Sequence, residues 1–256
     1  MTTTAAPPRT LSPLVSTTVA GQLIGAAGLV VQWISAPEVF EGFGFPPGLF
    51  YVLGAAAIVL LNRRSNWSPA AAIALSLWIT IGGLAGGNLQ DNLADPDTGM
   101  VVGNIVMLAG LAISAIAGVL AIRHNFRTRP EKRIAPLGSG NPRRIATTIV
   151  FAGLLLDAIG DAAPEGFNWD GPGPILFLVL AILVALIPGN AMIELSMMLS
   201  LTFVLTAFLN PQAGQRLTDP SNVLPFTGAL MQVVGLSLAV LAGAVAILPR
   251  RRPVAG

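Results

Sequence analysis

The chain has no cysteine and a single histidine, His124, among its 256 residues. That excludes disulfides, thiolate metal sites, cysteine nucleophiles and haem held by a histidine pair. Charge is scarce too: 10% of the residues are Asp, Glu, Lys or Arg, against about 25% in soluble domains. No Walker loop, Gly-x-Ser-x-Gly or His-Glu-x-x-His occurs, so phosphate-loop, serine-hydrolase and zinc-protease chemistry have no motif to act through. We expect no cofactor and no metal, and the absences weigh against an enzyme.

What is present is apolar. Residues of the AVILMFWYC set make up 54% of the chain, accompanied by 28 Gly and 20 Pro. Membrane helices tolerate that much Gly and Pro because neighbouring helices re-satisfy the freed backbone groups. A window of about 20 residues gives eight stretches: Pro13 to Ser35, Pro46 to Leu61, Ser68 to Gly87, Met100 to Ile122, Ile145 to Ala163, Pro174 to Ile187, Ala191 to Leu209, and Leu224 to Leu248. The first is taken as a retained helix and not a cleaved signal, because Pro37 follows its Ser-Ala pair. Only Pro188, Gly189 and Asn190 separate the sixth from the seventh.

Charge placement orients this arrangement. With the N-terminus inside, the cytoplasmic segments hold Arg9, Arg63, Arg64, the run from Arg123 to Arg144, and Arg250 to Arg252, which is 13 of 14 basic residues. The external segments hold Glu38, Glu41, Asp91, Asp95, Asp97, Glu165, Asp170 and Asp219, 8 of 12 acids. The positive-inside rule therefore puts both termini in the cytoplasm of a multi-pass plasma (inner) membrane protein. The pI near 9.9 is topology on this reading, and nucleic acid is not an expected partner.

An internal repeat sets the architecture. Shifted by 127, Ala36-Pro37-Glu38 falls on Ala163-Pro164-Glu165, and ten of the 18 positions from Ala36 to Leu53 are identical. After two gaps Asn88 and Gln90 meet Asn210 and Gln212, and Asp95-Pro96 meets Asp219-Pro220. Pro-Glu, Asn-x-Gln and Asp-Pro in one order are not a product of low complexity. The expected fold is an all-α integral membrane protein with eight transmembrane helices arranged as two parallel four-helix repeats, 1–122 and 145–256, joined by a basic cytoplasmic linker, 123–144.

Polar residues inside the stretches are the place to look for function. Asp157 and Asp161 lie one turn apart on one face of the fifth stretch, and Glu194 opens the seventh. A charged side chain at the bilayer centre costs roughly 2.5 to 3.5 kcal/mol on insertion scales, so these acids should face the bundle interior or water. Gln22, Asn104 and Gln232 read better as interhelical hydrogen bonds than as a lining. The matched Glu38, Glu165, Asn88, Gln90, Asn210 and Gln212 should line a polar outward-facing vestibule.

Gly153, Asp157 and Asp161 resemble the second half of the CDP-alcohol phosphotransferase pattern, but its first half, an Asp pair with Ala-Arg, is absent, so no activity is assigned from it. The expected function is a small carrier or channel for a cation, a proton-coupled solute or a polar lipid head group. The alternative is a non-catalytic accessory subunit of a larger membrane complex. The bilayer is the expected partner, with membrane proteins or a second copy of this chain beside it.

Overall fold

The computed structural model describes residues 11–40, 44–129, 136–165, 169, 172–209 and 211–248. Among these there is no strand, and ten α-helices carry the chain: α1 Pro13–Ser35, α2 Pro47–Leu61, α3 Ala70–Ala85, α4 Asn88–Leu93, α5 Thr98–Thr128, α6 Pro142–Ala162, α7 Pro172–Leu186, α8 Ala191–Leu209, α9 Pro211–Thr218 and α10 Val223–Ile247. Helix starts follow the punctuation of the sequence. Ser12 accepts from Val15 N–H ahead of Pro13, and Asn141 accepts from Arg144 N–H ahead of Pro142. Both pair a capping side chain with a proline whose missing N–H costs nothing in the first turn.

Two compact units result, one from residues 1–77 with 93–130, the other from 78–92 with 131–256. Four helices are long and apolar enough to cross a membrane: α1 and α5 of the first unit, α6 and α10 of the second. The remaining apolar helices are shorter. The 15 residues of α2 span about 22 Å at 1.5 Å per residue, less than a hydrocarbon core of about 30 Å. Ile116, Leu241 and Val245 stand on the outer faces of the long helices, 63%, 66% and 58% exposed, an apolar surface suited to lipid.

In the first unit α1 and α5 cross antiparallel, backbone against backbone. A Cβ on Gly21 would strike Gly110 O and the Ser114 backbone, and one on Gly28 would strike Gly103 O and Met107 N. The second unit does the same with α6 and α10: Gly153 meets Gly235, and Gly160 meets Gly228. All four helices space these glycines seven residues apart, at 21/28, 103/110, 153/160 and 228/235, which is two turns of one face. Of the glycine pairs that four-residue spacing offers, Gly21/Gly25 and Gly99/Gly103 lie at the α1–α5 contact, with Gly25 against Gly110 and Gly99 against Ser35, whereas Gly82 meets only Trp78 Cε2, of its own helix, at 3.9 Å.

Three features differ from the sequence expectation. The third stretch is helical only over Ala70–Ala85, four residues shorter than Ser68 to Gly87. The segment 123–144 is not wholly a linker, since α5 continues to Thr128 and α6 begins at Pro142. The α5 extension is held by Asn66, whose Nδ2 donates to Arg129 O at 2.7 Å, and by a Trp67–Phe126 edge-on ring contact at 5.2 Å. Finally, the polar α4 and α9 occupy stretches that hydropathy leaves as loops.

Candidate functional site

The acids of α6 are placed by its length and its end. The helix runs 21 residues from its Asn141 cap and stops at a 3-10 turn, Ala163–Glu165, where Pro164 lacks the N–H that would continue it. Asp157 falls in the last turns, at the crossing with α10. A Cβ on Gly235 would stand 2.9 Å from Asp157 N, so the α10 backbone passes directly over this point. Asp157 is 2% exposed, the one buried ionisable side chain among the described residues, and its Oδ2 has no hydrogen-bond partner.

Asp161, one turn farther along, is half-buried and engaged on two sides. Its Oδ1 accepts a 2.5 Å hydrogen bond from Gln232 Nε2 of α10. Its Oδ2 lies so close to Gly173 that a side chain there would collide with it. Gly173 is in the first turn of α7, where the aligned peptide dipoles favour a carboxylate. Asp161 therefore ties three helices, α6, α7 and α10, at one end of the second unit.

Glu194 is not brought to this pair. It sits half-buried in the first turn of α8, one turn from Asn190, which Arg143 Nη2 bonds at 2.5 Å. Arg143 and Asp157 are 14 residues apart on α6, about 21 Å along the axis, so Glu194 marks the opposite end of the unit.

Of the residues matched between the two halves of the sequence, Glu38 is exposed in the 3-10 turn Pro37–Phe40, and Glu165 ends the 3-10 turn after α6. Each turn directly follows the first helix of its unit. Gln90 is exposed on α4 and donates to Leu84 O at 2.8 Å. Asn88 begins α4 and Gln212 lies in α9, their side chains, like that of Glu165, outside the described atoms; Asn210 lies outside the described residues.

The amides divide. Gln22 is fully buried, and its Nε2 lies 2.7 Å from Ser114 Oγ, 2.8 Å from Ser76 Oγ and 3.3 Å from Ala72 O. It joins α1, α3 and α5. Asn104 Nδ2 instead bonds Met100 O of its own helix. Sequence reasoning missed the roles of Asn66, Asn125 and Asn190. Asn190 carried a usable signal, an amide immediately before an apolar helix after Pro188-Gly189.

Among the described residues no three His, Cys, Asp or Glu side chains gather. Comparison with protein-family models, with curated proteins and with solved structures finds no match to this chain.

Proposed function

We propose that the chain is a small membrane carrier or channel in which Asp157 binds and releases the transported or coupling cation. One observation carries this reading: the unpartnered Oδ2 of a carboxyl that is otherwise enclosed in the α6–α10 crossing. Burying such a group without a hydrogen bond costs several kcal/mol, and a leucine would pack the crossing at no such cost. Neighbouring Asp161, by contrast, is accounted for by Gln232 and the start of α7. An acid kept unsatisfied beside a satisfied one is what ion exchange requires and packing does not.

The proposed frame is eight spans in two parallel repeats, with both ends in the cytoplasm. It is supported by the long, short, short, long order of apolar helices along each half of the sequence, the two seven-residue glycine pairs in each unit, and the matched 3-10 turns. The short helices would be accommodated by local thinning of the bilayer.

The test is flux in reconstituted vesicles, with a pH-sensitive dye inside and Na+ or K+ supplied in turn. Asp157→Asn keeps size and loses ionisation, and should abolish ion flux while eluting from a sizing column as the native protein does. Unchanged flux removes Asp157 from the mechanism. Copurification of a stoichiometric partner in mild detergent, with no flux from the chain alone, would favour the accessory-subunit reading.

A further inference from the structure

We propose that the second unit binds the phosphate of an anionic phospholipid at the end opposite Asp157, in the groove formed by the starts of α6 and α8 and the last turn of α10. The groove holds about 420 Å³ and has two chemically different walls. Asn141, Arg143 and Asn190 form the polar one; Val245 to Leu248 form the apolar one. Arg143 Nη2 donates to Asn190 Oδ1 at 2.5 Å, which holds the guanidinium on the polar wall. A guanidinium has five N–H donors, so one bond to Asn190 leaves the fork able to receive two phosphate oxygens.

One further observation points to an anion. The first turn of α6 holds Arg143 and Arg144 and no acid, although the helix dipole disfavours cations at that end. Arg144, the next residue, packs its guanidinium against the turn at Gly138, whose φ of +135° suits glycine, and lies outside the groove lining. Positive charge is thus concentrated at a helix end that opposes it.

The apolar wall selects a lipid over a free phosphate. Val245 and Leu248 are 58% and 66% exposed, so both ends of the wall also reach the outer surface. It belongs to the last turn of a helix long enough to cross the bilayer. A phosphate seated on Arg143 would therefore have its acyl chains lying along α10, with the head group at the boundary where it normally resides. This site uses none of the residues that carry the ion-handling reading, and either can fail alone.

The measurement is a native mass-spectrometry titration of the full chain in mild detergent, using phosphatidylglycerol, phosphatidylcholine with the same acyl chains, and inorganic phosphate. Phosphatidylglycerol should bind best, and Arg143→Gln should weaken it by roughly fivefold or more. Leu248→Asp, which sets an acid on the opposite wall and leaves Arg143 in place, should weaken it as well. The double variant Arg63→Gln/Arg64→Gln, in the other unit, should bind as the parent does. Equal binding of the two lipids would overturn the proposal. So would equal losses from the Arg143 and Arg63/Arg64 variants, because a general surface charge would then be the cause. Inorganic phosphate that displaces phosphatidylglycerol at equal concentration would identify a free-phosphate site and exclude the lipid.

Discussion

Gln232 on α10 donates to Asp161 on α6 at 2.5 Å, closing one turn of the interface that leaves Asp157 Oδ2 unpartnered a turn away. Two carboxyls on one helix face thus have different surroundings, and the difference lies in a residue 71 positions distant. Gln232→Leu should leave Asp161 without that donor and destabilise the second unit by about 1 to 2 kcal/mol. Thermal unfolding in detergent measures it, with Asp161→Asn and the double variant completing a cycle. Additive losses would show that the two side chains do not act as a pair.

The glycine crossings predict a graded series. At Gly235 and Gly110 an added side chain meets the backbone of the facing helix, which cannot move aside, and Gly→Val at either should abolish recovery of folded protein. Gly82, whose added Cβ would meet nothing nearer than a ring carbon of Trp78 on its own helix at 3.9 Å, should accept alanine and gain up to about 1 kcal/mol from helix propensity. Monodisperse yield on a sizing column reads the first two, and thermal unfolding reads the third. Normal yield of Gly235→Val would show that the α6–α10 contact is looser than described.

Part of this was legible in the sequence. Pro13 begins α1 where the first stretch was expected to begin, α2, α6 and α7 begin one to three residues from their expected starts at Pro46, Ile145 and Pro174, and the 3.6-residue period placed Asp157 and Asp161 on one face. The seven-residue glycine pairs were only partly legible: four-residue spacing marked Gly21 and Gly103, and the repeat set Gly110 on Gly235, but Gly21/Gly28 and Gly153/Gly160 differ by 132 where the match over Ala36 to Leu53 runs at 127. Only knowledge of which helices cross picks all eight from 28 glycines. The 8-residue α9 escaped because a short polar helix has no hydropathy signal. Gln232 gave no sign of its partner, since periodicity describes one helix at a time.

Topology is open to a cysteine test in a protein with none of its own. Ser139 and Ser221 are both exposed, the first ahead of α6 and the second ahead of α10. On the proposed topology Ser139 lies inside and Ser221 outside, and Ser→Cys is close to isosteric at each. A membrane-impermeant maleimide added to intact cells should label Ser221→Cys and reach Ser139→Cys only after permeabilisation. Equal labelling of both before permeabilisation would break the eight-span frame.

The end of α5 supplies the last prediction. Arg123, His124 and Arg127 continue the helix past its apolar run, and all three are exposed, so hydrophobic burial of these side chains does not explain why it continues. The explanation is in the turn before α3: Asn66 is 1% exposed, its Nδ2 takes Arg129 O at 2.7 Å, and its own carbonyl accepts from Asn125 Nδ2 at 3.4 Å. Each bond satisfies a backbone carbonyl, and Trp67 on Phe126 shields them. Asn66→Ala should remove the Arg129 bond and leave the Asn125 contact, which uses only the Asn66 backbone. Loss of a buried donor of this kind costs about 1 to 2 kcal/mol, comparable to the free energy holding one terminal turn, so amides 124 to 129 should exchange with deuterium at least several times faster. Exchange across the Gly103–Gly110 crossing should stay as in the parent. If 124 to 129 are equally protected in the variant, the extension is held by Trp67 and Phe126 alone, and Trp67→Ala should then release it.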